Sequence, residues 1–111
     1  MSVRYMIRLP DPARARAAGE LAFRSQGAEG LAVELQEALR GDGLFQRWRA
    51  AQEDPDAVDP ALGATDPSAV VEGAQHDLHV DLVATTSIPG AVFKHRMRLL
   101  AGSAWELRDV R

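Results

Sequence analysis

Residues 76–111 decide the fold and read HDLHVDLVATTSIPGAVFKHRMRLLAGSAWELRDVR. Side chains along a β-strand point alternately to opposite faces of its sheet. The first part of the stretch has apolar residues at every second position: Leu78, Val80, Leu82 and Ala84. The positions between them are mostly polar and include Asp77, His79 and Asp81. This alternation predicts a strand with one buried face.

Two further strands are predicted downstream, each preceded by a turn signal. Proline presets φ and glycine tolerates positive φ, so the pair Pro89-Gly90 suits a turn. Beyond it, one predicted face holds Phe93, His95, Met97 and Leu99, and the other holds Lys94, Arg96, Arg98 and Leu100. A third strand is predicted over residues 105–108. In the expected register Asp81 lies opposite Arg98, and Arg98 lies beside Glu106, which gives a ladder of opposite charges.

The upstream sequence supplies more strands. Residues 3–9 alternate apolar and polar side chains and predict an N-terminal strand that ends at Pro10. Residues 21–23 suggest a second short strand paired with it. Residues 69–72 begin another strand, and residues 73–75 are expected to turn into the strand from His76.

Two consecutive helices are predicted between these strands. Leu31, Leu35 and Leu39 recur every four residues and predict a helix over residues 28–40 that stops at Gly41. Asp42 is expected to cap a second helix over residues 43–51.

An acidic linker follows, with five acidic and no basic residues between positions 53 and 66. Within it, Asp59 is expected to cap a helical turn that stops at Gly63. All elements together predict an α+β fold. Its antiparallel sheet would consist of an N-terminal strand pair plus four C-terminal meander strands, with the two consecutive helices packed on one face. A chain of 111 residues is long enough for one domain, here residues 1–111.

The composition excludes several classes of protein. The chain has no cysteine, so neither disulfides nor thiolate chemistry are expected. No apolar run reaches the length of a membrane span, and the N-terminus lacks the apolar block of a signal peptide. We therefore expect a cytoplasmic protein, and its alanine- and arginine-rich composition is typical of bacteria.

One group of residues on a predicted strand could hold a metal ion. Asp77, His79 and Asp81 share one strand face, and imidazole with carboxylate suits zinc or manganese. The expected neighbour Arg98 argues against that site, so we expect solvated charges there.

The acidic linker offers a second candidate. Its carboxylates could supply oxygens for calcium, but the run lacks the glycine and final glutamate of an EF-hand loop. We expect solvated charges here too. The residues concerned are Glu53, Asp54, Asp56 and Asp59.

His95 is the polar residue on the apolar face of the predicted second strand. A buried histidine can act as a general base, here with a carboxylate such as Asp109. A small apolar ligand could also occupy a pocket between helices and sheet. No serine or cysteine is spaced to form a nucleophile with this histidine.

A basic patch is predicted from Lys94, Arg96, Arg98 and Arg108. Nucleic-acid binding by a sheet usually adds exposed aromatic side chains for base stacking, and none is expected on this face. The net charge of −3 argues in the same direction.

The leading expectation is a small non-enzymatic protein that binds another protein or a second copy of itself. The reasons are the absence of a nucleophile, metal set or cofactor loop, and the presence of a sheet edge that must be covered or paired. The alternative is a pocket protein or an acid/base enzyme using His95. A third hypothesis is a nucleic-acid adaptor using Lys94, Arg96 and Arg98. No cofactor is expected.

Overall fold

The computed structural model describes residues 2–111. The strands are β1 (Val3–Leu9), β2 (Val70–His76), β3 (His79–Thr86) and β4 (Glu106–Val110). The α-helices are α1 (Pro12–Arg16), α2 (Ala28–Arg40), α3 (Gly43–Ala50) and α4 (Gly90–Ala101). Two short 3-10 helices span Pro55–Ala57 and Pro60–Gly63 in the acidic linker.

The four strands form one antiparallel sheet in the order β2-β3-β1-β4. β1 and β2 run parallel to each other, because both are antiparallel to β3, which lies between them. This connectivity is the split βαβ arrangement of ferredoxin-like folds. Folds of this kind host many unrelated functions, so the topology assigns none by itself. The predicted α+β class with an antiparallel sheet is confirmed.

The central strands β1 and β3 place the core where their alternation predicts it. Ile7 pairs with Leu82 and Leu9 pairs with Val80, and all four side chains are at most 1% exposed. The intervening residues of β3 remain partly exposed. The sheet therefore has one buried face and one open face.

Helix α2 forms as predicted and covers the buried face. Its leucines Leu31, Leu35 and Leu39 are fully buried, and each contributes about 1.5–3 kcal/mol through burial. The helix ends at Gly41, whose N–H donates to the carbonyl of Glu37. It packs against β2 and β3.

Residues 90–101 form helix α4, so the strand predicted over residues 93–99 is wrong. The buried residues of α4 follow a helical spacing: Val92, Phe93, Arg96, Met97, Leu100 and Ala101. Gly102 ends the helix with φ +59°, a conformation that favours glycine. The Tyr5 and Phe93 rings stack with centroids 4.1 Å apart, so α4 packs on β1. Because this segment is a helix, Arg98 cannot pair with Asp81 across strands.

The strand pairing differs from a meander in other places. Residues 21–23 are not a strand, because the N–H of Phe23 donates to the carbonyl of Leu100 at the end of α4. β1 therefore pairs with β3, and β4 pairs with the other side of β1. The turn between β2 and β3 lies at Asp77 and Leu78, after a strand that continues to His76.

The two consecutive helices α2 and α3 do not share the sheet. α3 packs against the linker and α4, where the rings of Trp48 and His95 meet at 4.4 Å. The second helix over the sheet is α4, because the crossover from β3 to β4 must return across the same face.

The acidic linker is ordered by its aspartates. Asp59 accepts a hydrogen bond from the N–H of Ala61 and caps the turn that ends at Gly63, as predicted. Asp66 is buried, and one of its oxygens accepts from Thr86 Oγ1 at 2.8 Å and from the N–H of Ser87 at 2.9 Å. These bonds to the charged form hold the pKa of Asp66 below its usual range. They fix the end of the linker against the end of β3.

Within residues 2–111, none of the helices combines the length and the apolar character needed to cross a membrane.

Candidate functional site

A polar cluster lies on the open face of the sheet, near the hairpin between β2 and β3. Arg8 Nε donates to Asp81 Oδ1 at 2.9 Å, and Arg8 Nη2 donates to Asp81 Oδ2 at 3.3 Å. The Nε2 atoms of His76 and His79 each lie 3.6 Å from Asp81 Oδ2. The bond from Arg8 holds the pKa of Asp81 below its usual value. Asp81 therefore has a guanidinium partner as expected, but the partner is Arg8 instead of Arg98.

The three candidate metal ligands do not form one group, although His79 and Asp81 lie close together. Asp77 lies in the hairpin turn with φ +50°, whereas His79 and Asp81 lie on β3. Across the described part of the chain, no three His, Cys, Asp or Glu side chains are grouped so as to hold a metal ion. In the linker, Asp59 caps a helical turn and Asp56 lies 3.4 Å from Arg49 Nη2.

The four residues of the predicted basic patch are divided among different surfaces. Lys94 and Arg98 are exposed on α4, on the helical side of the sheet. Arg108 is exposed on the edge strand β4, where it pairs with Glu106 at 3.2 Å. Arg96 is 0% exposed. The structure therefore does not place these four side chains on one strand face.

Buried Arg96 joins three segments through carbonyl groups, and it forms no ion pair with a carboxylate of residues 2–111. Nη1 donates to the carbonyl of Ala38 in the last turn of α2. Nη2 donates to the carbonyls of Leu62 at 3.0 Å and Ala64 at 2.8 Å in the linker. Burial lowers the pKa of this guanidinium. Arg96 ties α4 to α2 and to the linker, a role that the strand interpretation of this segment missed.

His95 is partly buried against the edge of Trp48. Its Nδ1 is buried and has no hydrogen-bond partner among the described residues. Burial lowers the pKa of His95, and the charges of Arg98 and Arg96 lower it further. Asp109, the expected partner carboxylate, pairs opposite Met6 on β1 and bonds to Arg111. The structure does not bring His95 and Asp109 together.

Two clefts open on the surface, and His95 lines neither. One of about 340 Å³ lies between α2, α3 and the loop before α2. Its walls carry both signs of charge, from Arg24 and Arg47 and from Glu20, Glu34 and Glu37. The other, of about 300 Å³, lies beside Trp105 at the start of β4.

The β4 edge of the sheet is protected. The N–H of Arg111 donates to the carbonyl of Arg4, so the N–H of Val110 points away from β1. The side chain of Asp109 accepts that outward N–H at 2.8 Å. The register with β1 also shifts between Met6 and Ile7, as in a β-bulge. A short, charged and bulged strand with a capped donor is a typical way to prevent pairing with another chain.

The β2 edge has the opposite character. The N–H of Val71 donates to Gln36 Oε1 on α2 and therefore points away from β3. By alternation, the N–H groups of Gly73 and Gln75 point to the same free edge. Within the described residues, no side chain accepts a bond from either group. The strand has seven residues with a single acidic side chain and no proline, lysine or bulge. This unprotected edge is the candidate functional site.

Its position could not be found from the sequence, because the predicted meander placed other strands at the sheet edges. The one available signal was the composition of residues 70–76, VVEGAQH, which has a single acidic residue and neither the lysines nor the prolines that usually protect an edge.

No protein-family model, no curated protein and no solved structure matches the chain.

Proposed function

We propose that this protein binds other proteins by accepting an extended segment at the free edge of β2. The observation that carries the proposal is the contrast between the capped, bulged β4 edge and the open β2 edge. An added strand would bond to the outward main-chain groups of Gly73 and Gln75, which supply affinity in β-strand addition. Side chains beside the edge would supply specificity.

The neighbourhood of the edge suits a polypeptide partner. Val70, on the open face, is 44% exposed, and Leu78, in the adjoining turn, is 85% exposed. Gly73 and Ala74 carry little side chain, so another backbone can approach closely. The edge therefore offers the free N–H groups of Gly73 and Gln75 between two exposed apolar side chains, Val70 and Leu78.

The other two hypotheses have less support. A nucleic-acid adaptor needs Arg96 at the surface, yet that side chain is buried. An acid/base role for His95 needs a nearby carboxylate and a cleft, yet Asp109 bonds to Arg111 and the two clefts lie elsewhere. We propose the cytoplasm as the place of action.

Selection of a displayed peptide library on the immobilised protein tests the proposed function. We expect extended peptides that bind the wild type, with binding measured by fluorescence anisotropy. Gln75→Pro should abolish their binding, because proline lacks the outward N–H and is tolerated where a strand edge faces solvent. Gln75→Ala is the matched control: it removes the same side chain but keeps the donor, and it should retain binding. Failure to select any binder, or equal binding to Gln75→Pro, would overturn the proposal.

A further inference from the structure

The exposed apolar side chains lie beside or close to the two sheet edges. Five large ones in residues 2–111 are at least about a third exposed: Val33 49%, Val70 44%, Leu78 85%, Leu107 36% and Val110 46%. Leu107 and Val110 belong to the protected strand β4. Val70 is the first residue of β2, and Leu78 lies in the turn that follows it.

Val33 belongs to the same neighbourhood as the β2 edge. It lies on α2, three residues before Gln36 and therefore on the same side of that helix. Gln36 reaches the β2 edge, so Val33 is directed toward this edge too.

We propose that the strand bound at the β2 edge is the β2 strand of a second copy of this chain, antiparallel, with a two-fold axis at Ala74. The inference rests on the proposed function and names its partner. A two-fold interface requires self-complementarity: residue i must contact j, and j must contact i.

The main-chain groups of β2 allow this pairing. Val71, Gly73 and Gln75 direct their N–H and C=O groups to the free edge. With the axis at Ala74, Gly73 of each copy pairs with Gln75 of the other. Outward-pointing residues therefore meet outward-pointing residues, as an antiparallel ladder requires.

The side chains beside the edge are complementary in the same register. Glu72 comes opposite His76 of the second copy, and His76 comes opposite its Glu72. Beyond these strand pairs, the hairpin turn that carries exposed Leu78 comes to the level of Val70 of the second copy. Ala74 meets Ala74 at the axis, where a small side chain permits close approach. Each favourable contact occurs twice because of the symmetry.

Neighbouring registers lose this complementarity. An axis at Gly73 would place Glu72 opposite Ala74 and Val70 opposite His76. An axis at Gln75 would place Glu72 opposite Leu78. A change of register by one residue, which moves the axis by half a residue, would bring outward main-chain groups opposite inward ones. The side-chain pattern therefore favours Ala74 at the axis.

The α2 helices, which form a second layer above the sheet, can join the interface. In the paired sheet, the α2 helices of the two copies lie on the same face and next to the shared edge. Exposed Val33 of each copy would then face the other copy above the joined strands. An interface of two layers buries more apolar surface than an isolated pair of strands.

The first measurement is the mass of the wild type by analytical ultracentrifugation from about 1 µM to about 1 mM, the range expected for a small interface. We expect a change from the monomer mass of 12.0 kDa to twice that mass. Glu72→Lys alone and His76→Glu alone should each weaken dimerisation by about tenfold. Glu72→Lys removes the carboxylate that faces the imidazole of His76, and His76→Glu places two carboxylates opposite each other, in each case at two places. The folded state of every variant is verified by circular dichroism.

A mixture of the two single variants is the decisive measurement. The lysine introduced at position 72 of one chain would then face the glutamate introduced at position 76 of the other. Wild-type His76 would face wild-type Glu72, so a heterodimer should regain the wild-type affinity.

Two outcomes would overturn the inference. One is a wild type that stays at 12.0 kDa throughout the concentration range, and the other is a mixture as weak as the separate variants. The proposed function is judged separately: a monomer that binds selected peptides in a manner dependent on the Gln75 N–H retains it, whereas a monomer that binds no peptide removes both.

Discussion

The two edges of the sheet meet the solvent in different ways. On β4, Asp109 takes the outward N–H of Val110, and the register shifts beside Met6. On β2, Gln36 takes the first outward N–H, that of Val71, and the next two remain free of side-chain acceptors in the described residues. An unprotected edge strand offers unpaired main-chain groups to another chain, which is why we propose the β2 edge as the binding site.

The difference also shows that edge protection depends on single side chains. Both edge strands border the same central pair, β1 and β3, which are paired along their whole length. What closes β4 is one carboxylate and one extra residue, and what leaves β2 open is the lack of a side-chain acceptor for Gly73 and Gln75 among the described residues. Each edge can therefore be altered separately.

The largest expected effect tests the support behind the β2 edge. Arg96→Met removes the donor for three carbonyls, those of Ala38, Leu62 and Ala64. We expect a loss of about 2–4 kcal/mol in the free energy of unfolding, since buried carbonyls are left without partners. Amide exchange should rise at β2 more than at β4, because Arg96 holds the end of α2 and the linker that leads into β2. Urea denaturation with mass-resolved hydrogen exchange measures both.

The control for that prediction is Arg98→Met, an exposed position on the same helix. It should change stability by less than about 0.5 kcal/mol. Equal effects of the two substitutions would contradict the role assigned to Arg96.

An intermediate effect is expected from Gly73→Ala, which tests how closely α2 lies over β2. A Cβ at position 73 would come 2.5 Å from the carbonyl oxygen of Ala28, so the helix must shift. We expect a loss of about 1–3 kcal/mol, as for other overpacked sites. Gly43→Ala, where nothing lies within 4 Å of the added Cβ, should be neutral or slightly stabilising. Thermal unfolding of both variants measures this difference, and similar melting temperatures would contradict the close packing of α2 over Gly73.

The smallest effect concerns the protected edge. The pKa of Asp109 is held below its ordinary value by Arg111 and by the N–H of Val110. The carboxylate therefore stabilises the fold above its ordinary pKa of about 4, and this contribution is lost as the pH falls through the lower folded-state pKa. Asp109→Ala should remove the cap at any pH and speed amide exchange of Val110 severalfold, while Asp109→Asn retains an acceptor and should change it less. Unchanged exchange in Asp109→Ala would show that the cap is not what protects β4.

Much of the fold could be predicted because in several segments the apolar residues recur with the period of a strand or with that of a helix, but not with both. β1 and β3 alternate, and α2 repeats its leucines every four residues. Residues 90–101 satisfy both periods: Phe93 and Met97 fit an alternating strand and also fit a helical stripe. The length of twelve residues favours a helix in such a case, and the turn signal at Pro89-Gly90 was instead the start of one.

The identification of the β2 edge as the candidate site depended on the assignment of residues 90–101 as a helix. Once residues 90–101 form a helix, β4 returns to the far side of β1 and β2 becomes an outer strand. Arg96 then lies on the buried side of the helix, although its neighbours in sequence gave no signal of a buried charge. Its carbonyl partners come from positions 38, 62 and 64, far away along the chain.

Local patterns in the chain were enough to establish the α+β class, the buried faces of β1, β3 and α2, and the capped turn of the acidic linker. These features depend on the spacing of side chains within one segment. The order of the strands, the burial of Arg96 and the identity of the open edge were established only by the packed molecule. Those features depend on contacts between distant segments, such as Ile7 with Leu82, and many strand orders satisfy the same local patterns until the segments pack together.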